Sequence, residues 1–339
     1  MAEGPRLLLV FGTAAILTAA TVPMAIRIAR ASGFLDAPVG YKSHLRPTPY
    51  LGGFAVLCAW LPPILIFGGG VSRYWPLVLC ALCLSLVGTV DDRISLSPWL
   101  RIAFEAVVAW FLWREGIGWS FLGGDLANLA LTVVWVVGIV NAFNLMDNID
   151  GAASTVGGVS VLCLGVLAAL GGDVPLAVIA FGLGGALIGF LRHNLAQPAR
   201  IFLGDGGSMA IGLLLAGGLM AAPMGELTGW TTLAAALVAV GLPVFDTTLV
   251  VFSRHRRGAP VLSGATDHTT HRLRASLRSA RSVCAVLGLS QAVLCAMAIE
   301  ATRLGRDAAI VLVCLALLVG AVMIIAADGS SWTPVSGDS

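Results

Sequence analysis

Asn141-Ala-Phe-Asn-Leu-Met-Asp-Asn-Ile-Asp-Gly151 follows directly on Leu126–Val140, a run interrupted in its apolarity only by Asn128, Thr132 and Gly138. The run reads as a membrane-crossing helix. An Asp at the centre of such a helix would cost roughly 2.5–3.5 kcal/mol, so the polar stretch belongs at its end, at the membrane surface. Asn141, Asn144 and Asp147 recur every three residues; on a continuing helix they lie toward one side while drifting around it. Gly151 then loosens the backbone. A polar helix end needs nothing more than solvent, but this density of hydrogen-bonding side chains, with Asp147 and Asp150 anionic, favours an ion or polar ligand.

Working outward, the whole chain has the same character. Hydrophobic residues make up 58% and charged residues 11% of the 339, and the mean hydropathy is +0.93. These values exclude a soluble domain and give an all-α polytopic membrane protein. Eleven spans are predicted, at about 7–28, 53–70, 76–90, 99–114, 126–141, 152–171, 174–191, 207–222, 230–252, 283–301 and 307–327. Residues 1–327 then form one polytopic domain, with 328–339 a short polar tail. The first apolar run continues to about Ile28 with further spans behind it, which favours an uncleaved helix over a signal peptide. All seven cysteines fall inside apolar runs, where Cys is a small hydrophobe, and imply no disulfide framework.

Lys and Arg fix the orientation: with the N-terminus outside and the C-terminus in the cytoplasm, fifteen of the twenty lie on the cytoplasmic side. Five polar connections share that face, near 29–52, 91–98, 142–151, 192–206 and 253–282. The first contains Lys42-Ser-His-Leu-Arg-Pro-Thr-Pro-Tyr-Leu-Gly-Gly53, whose prolines and glycines hold a non-helical backbone while Lys42, His44 and Arg46 supply positive charge. Asp91-Asp92 ends the third span; adjacent carboxylates repel unless compensated, which points to a metal, a base of raised pKa or a proton relay. Arg200-Ile-Phe-Leu-Gly-Asp-Gly-Gly-Ser208 sets Asp205 among glycines that let backbone N–H groups approach a phosphate, although a tight turn would read the same way. Asp246 lies late in an apolar span, within about two turns of the cytoplasmic edge, where it can meet the site or a basic residue. The last connection carries Asp267-His-Thr-Thr-His-Arg272 and an excess of Arg that suits a polyanionic ligand or anionic lipid.

Together these motifs resemble the polyprenyl-phosphate N-acetylhexosamine-1-phosphate transferases (glycosyltransferase family 4), in their N-acetylglucosamine-1-phosphate branch. The resemblance runs from about Gly33 to Leu273: Lys-x-His with Pro-Thr-Pro-x-x-Gly-Gly at 42–53, Asp91-Asp92, Asn-Ala-x-Asn-Leu-x-Asp-x-x-Asp-Gly at 141–151, Phe-x-Gly-Asp-x-Gly-Ser at 202–208, and His268-Thr-Thr-His271-Arg272. A common branch has His-x-His-His-Arg in the last motif, where Thr270 stands here. The resemblance implies transfer of a sugar-1-phosphate from a UDP-sugar to undecaprenyl or decaprenyl phosphate with release of UMP. That reaction is the first membrane step of cell-wall or surface-polysaccharide assembly, in a bacterial plasma membrane.

By the same resemblance Asp205 is the leading metal ligand, with Asp147 beside it, and Asp91 and Asp92 lie near the metal and the lipid phosphate. Asp91, Asp92, Asp147 and Asp150 make up the catalytic set; Asn141 and Asn144 face the nucleotide, and Lys42, His268, His271 and Arg272 bind phosphates. Mg²⁺, with Mn²⁺ as a substitute, is the expected cofactor. It favours one or two carboxylates plus substrate phosphates and water, and phosphoryl transfer depends on positioning and charge neutralisation. A general base is not required, because a phosphate monoester with a second pKa near 6 is already largely a dianion. The expected partners are the two substrates and the bilayer, with a homodimer allowed and no nucleic acid. An ion-coupled transporter fits less well, since the carboxylates crowd one face and no internal repeat is visible. A phosphatidyl-alcohol transferase fits less well too, since the Asp-Gly-x-x-Ala-Arg run associated with it is absent after Asp150, where Gly-Ala-Ala-Ser stands.

Overall fold

The computed structural model describes residues 3–36, 47–260 and 267–328. Lys42, His44, Arg46 and the tail from 329 lie outside the described residues. Thirteen α-helices account for nearly all of the described chain: α1 (Glu3–Ser32), α2 (Gly52–Phe67), α3 (Trp75–Ile94), α4 (Pro98–Arg114), α5 (Asp125–Met146), α6 (Ala152–Leu170), α7 (Val174–Asn194), α8 (Asp205–Ala221), α9 (Trp230–Ala239), α10 (Gly241–Arg257), α11 (Thr269–Leu277), α12 (Ala280–Leu304) and α13 (Arg306–Asp328). The expectation of an all-α chain needs one small amendment. Leu35–Asp36 (β1) and Thr48–Pro49 (β2) pair antiparallel.

Local sequence explains several boundaries. Ser97 and Asp173 stand before Pro98 and Val174-Pro175, and each side chain accepts a hydrogen bond from a first-turn N–H, of Leu100 (3.3 Å) and Leu176 (3.1 Å). Small residues then set how closely the helices pack. Gly185 and Gly189 of α7 lie directly against the carbonyls of Phe11 and Ala15 in α1, leaving no room for a Cβ.

Six helices, α1, α5, α6, α7, α12 and α13, are long and apolar enough to cross a membrane, and the α9–α10 pair reaches that length and apolarity only when its two bent halves are taken together. Helices α2 and α8, at 16 and 17 residues, are also apolar but shorter than the roughly 20 residues of a typical crossing. The predicted ninth span, 230–252, is not one helix: α9 and α10 meet at 85°. Pro243 has no N–H to give the Ala239 carbonyl, so the i→i−4 ladder cannot continue through this point. Gln291 of α12, fully buried, repairs both loose ends. Its Nε2 donates to the Ala239 carbonyl at 2.7 Å and its Oε1 accepts from the Leu242 N–H at 3.1 Å.

Gln291→Leu should therefore strand a buried acceptor and a buried donor. At roughly 1–3 kcal/mol for each unsatisfied group, the variant should lose several degrees of thermal stability in detergent by scanning fluorimetry. Wild-type stability in Gln291→Leu would show that the break is held by other means.

Candidate active site

The helix ends that carry the sequence motifs meet at one end of the bundle, and backbone contacts between glycines bring them there. The Pro47–Gly53 segment runs alongside Phe202-Leu203: the Phe202 N–H donates to the Pro49 carbonyl (2.8 Å), and the Gly52 and Gly53 N–H groups donate to the carbonyls of Phe202 (3.1 Å) and Leu203 (2.7 Å). From the other side α3 presses on the first turn of α8. A Cβ at Gly88 would stand 2.5 Å from the Asp205 carbonyl carbon and 2.6 Å from its oxygen. Gly204, at φ +76°, has Asp92 Oδ2 where a Cβ would be, at 2.6 Å. The close approach and the left-handed conformation both require glycine there.

Asp92 uses that space to cap α8 from outside, its Oδ1 accepting the Asp205 N–H at 3.1 Å, where the helix dipole favours a negative charge. The Asp205 side chain turns toward α5. Asn144 Nδ2 donates to Asp205 Oδ1 (2.9 Å) and to Ser208 Oγ (3.2 Å). Asp147, the residue that ends α5, lies against the same turn. Burial above all, and then the fields of Asp205, Asp92 and Asp150, push its carboxyl well above the usual carboxylate range, against a partial offset from the Gly204 N–H.

Arg101 of α4 supplies the positive charge, its Nη1 donating to Asp91 Oδ2 (2.7 Å) and Asp205 Oδ2 (3.3 Å). Asp91 is otherwise spent on its own helix end, where Oδ1 accepts the Leu96 N–H at 2.6 Å. Asn141, one turn deeper than Asn144, is turned to α4: its Nδ2 donates to Glu105 Oε2 (2.5 Å) and the Val137 carbonyl (2.9 Å). The gradual drift of a three-residue spacing around a helix is what separates the two amides.

The basic motif approaches from α10 and α11. His268 precedes α11 rather than lying on it, so it does not share a face of that helix with His271 and Arg272. Its Nδ1 bonds Asp246 Oδ2 at 2.7 Å. Thr270 Oγ1 donates to Asn148 Oδ1 (2.5 Å), tying α11 to the turn after Asp147. Asp267 is gripped by Arg254 through two bonds (2.8 and 2.7 Å) and by Arg257 (3.0 Å). Burial alone would raise the Asp267 carboxyl, but the Arg254 pairing outweighs it and holds the group at about 2. Arg272 Nε donates to the Asp267 carbonyl at 3.1 Å. Asp150 lines an adjoining cavity of about 200 Å³ with Arg274, Arg278 and Arg281. Its carbonyl accepts from the Cys284 thiol at 3.3 Å.

The structure thus brings Asp92, Asp147, Asp205 and Asn144 together, with Asp91 joined through Arg101. It sets Asp150 to one side and Asn141 below. Sequence reasoning gave no site role to Arg101, Glu105 or Asn148 and no partner by name to Asp246. The available signal was charge within an apolar helix, since Glu105 and Asp246 are each 1% exposed and such groups persist only with partners. Among the described residues no three acidic, His or Cys side chains close into a cage for a metal. Neighbouring carboxylates are nonetheless a donor type that suits Mg²⁺, which takes one or two of them and completes its shell with phosphates and water.

The profile of the family described as glycosyl transferase family 4 matches residues 74–222, a segment that contains Asp91, Asp92, the 141–151 stretch and Asp205. The chain is 34% identical over 306 residues to the decaprenyl-phosphate N-acetylglucosaminephosphotransferase of Mycolicibacterium smegmatis, covering 79% of this chain and 75% of the relative. It is 28% identical over 282 residues to a probable undecaprenyl-phosphate N-acetylglucosaminyl 1-phosphate transferase of Bacillus subtilis, covering 80% and 78%. Against the undecaprenyl-phosphate alpha-N-acetylglucosaminyl 1-phosphate transferase of Escherichia coli it is 27% identical over 294 residues, covering 81% and 78%.

Gly88→Ala tests the close packing beneath Asp205. Helix propensity alone would make Ala the better residue by roughly 1 kcal/mol, yet here its methyl would displace the α8 first turn, at a cost of about 1–3 kcal/mol. A lower melting temperature and a turnover reduced at least about tenfold are expected, whereas Gly138→Ala, with nothing within 4 Å of its added carbon, should be neutral or slightly stabilising. Equal behaviour of the two variants would contradict the packing described.

Proposed function

The chain belongs to glycosyl transferase family 4, and on that premise we propose that it transfers N-acetylglucosamine 1-phosphate from UDP-N-acetylglucosamine to a polyprenyl phosphate. An oxygen of the lipid phosphate attacks the sugar-bearing phosphorus of the diphosphate, and the bond to UMP breaks, with UMP leaving as the anion. The product is a polyprenyl diphospho-sugar. The observation that carries this reading is the convergence of Asp92, Asp147 and Asp205 at the start of a glycine-rich helix, with Arg101 bridging to Asp91.

Asp205 and Asp147 are the residues that would hold Mg²⁺, or Mn²⁺ in its place, and the ion would neutralise phosphate charge as it shifts in the transition state. Asp92 fixes the α8 terminus, and Asn144 fixes the Asp205 carboxylate. Asp91, with both oxygens engaged, positions Arg101. No side chain has to deprotonate the lipid phosphate, which is already largely a dianion near neutral pH. His268, His271 and Arg272 supply the donors for the diphosphate of the nucleotide. Lys42 would join them from the first connection.

The finer topology belongs to the same proposal: eleven crossings, a bacterial plasma membrane, the N-terminus outside, and the site on the cytoplasmic side, where the nucleotide sugar is made. It is supported by the distribution of Lys and Arg.

Purified protein with polyprenyl phosphate and UDP-N-acetylglucosamine should release UMP only when Mg²⁺ or Mn²⁺ is present. Asp205→Asn, nearly the same in shape but without the charge, should lower kcat by at least about 10²-fold, the scale of one preorganised electrostatic contact. Metal-independent turnover, or solute flux across vesicles without UMP release, would overturn the proposal.

A further inference from the structure

Asp246 is a carboxylate inside an apolar helix, and the reaction as described gives it no task. It is 1% exposed, and both its oxygens are occupied: Oδ1 accepts the Thr269 N–H at 2.6 Å and Oδ2 meets His268 Nδ1 at 2.7 Å. An ionised carboxylate can only accept, so the imidazole nitrogen facing it carries the hydrogen. Nε2 is then the remaining nitrogen of the His268 ring, and among the described residues it makes no hydrogen bond.

The scaffold around this pair is rigid. Asp267, the preceding residue, is clamped by Arg254 and Arg257. Thr270, two residues on, is bonded to Asn148, next to Asp147. His268 is therefore held between a pinned connection and a pinned helix start, adjacent to the carboxylate cluster. The charged groups about it are Asp246 and Arg254 on α10, Asp267 in the connection, and His271 and Arg274 on α11; the turn after α5 contributes the neutral Asn148. Asp267 is committed to its two arginines. Burial first, and then the neighbouring His268, lower His271, so His271 does not compete for the carboxylate. Asp246 is thus the anion matched to His268.

We propose that Asp246 is a positioning residue that fixes the tautomer and orientation of His268, so that Nε2 is the nitrogen offered to a diphosphate oxygen of the nucleotide sugar. This rests on the function proposed above. With an anion on each side, the ring in the complex carries a hydrogen on both nitrogens and bridges the buried carboxylate to the substrate. Asn cannot replace Asp246 here. One oxygen and one NH₂ cannot accept from both Nδ1–H and the Thr269 N–H, so the amide must either turn its NH₂ toward Nδ1 or abandon Thr269.

Nitrogen-15 NMR of histidine-labelled protein, with the His268 signal assigned by its loss in His268→Gln, reads the tautomer without any turnover. Nδ1 of His268 should carry the hydrogen in the wild type, and in Asp246→Asn either that hydrogen or the Thr269 N–H bond to residue 246 should be lost. In UMP-release kinetics, Asp246→Asn should raise the KM for UDP-N-acetylglucosamine about tenfold, change kcat less than threefold, and add nothing further in a His268→Gln background. An Nε2–H tautomer in the wild type would overturn the proposal even if the variant does not fold. So would an Asp246→Asn defect that persists at full size in the His268→Gln background, because it would mark Asp246 as merely structural. Absence of UMP release by the wild type would count against the function itself, and the NMR result would still decide the pair.

Discussion

One hydrogen bond organises this molecule: the Asp205 N–H at the start of α8 donates to the carboxylate of Asp92 at the end of α3. A helix start leaves N–H groups without partners, and a carboxylate there is favoured by the helix dipole as well. The bond forms only because Gly88, Gly204 and Gly206 leave the two backbones nothing to clash with. It also has a consequence for charge. Holding Asp92 against the α8 terminus brings it close to Asp205 and Asp147, a concentration of negative charge to which, among the described residues, Arg101 contributes a cation through Asp205 and Asp91. Packing and chemistry are therefore coupled, because the contact that closes the helix bundle is the one that creates demand for a cation.

The second half of the site depends on a helix that does not run straight. Pro243 breaks the ladder between α9 and α10, and Gln291 supplies the donor and acceptor that the break leaves loose. The turn redirects α10 so that Asp246, Arg254 and Arg257 reach the connection leading into α11. A straight helix over 230–252 would follow a different line and would not place these three residues as they are. Thr270, at the position of an expected histidine, bonds Asn148 and so joins the basic segment to the acidic one.

Much of this was legible in the sequence, for identifiable reasons. Polar residues at the ends of apolar runs are costly enough to stand out, so Asp91-Asp92, the 141–151 stretch and Gly204-Asp205-Gly206 marked the meeting point before any coordinates. Pairing was not legible, because it lies between elements distant in the chain. Arg101 counted only as one more basic residue near a membrane edge, and nothing local connects it to Asp205. Asp246 had no visible partner because His268 is 22 residues away across the bend. Asn141 and Asn144 carry the same side chain one turn apart, yet one meets Glu105 and the other Asp205. The break after Ala239 is hidden in the sequence because Pro243 sits within an otherwise apolar stretch, and proline is tolerated in membrane helices when a neighbouring helix satisfies the freed groups.

The central physical claim is that the negative charge gathered around Asp205 is compensated by a divalent cation held by Asp205 and Asp147. Electron paramagnetic resonance of Mn²⁺ added to purified protein with UDP-N-acetylglucosamine measures this directly. One bound Mn²⁺ per chain is expected in the wild type, weakened at least about tenfold in Asp205→Asn and unchanged in Asp150→Asn, since Asp150 faces the adjoining cavity. The same Mn²⁺ affinity in Asp205→Asn as in the wild type would contradict the placement of the ion.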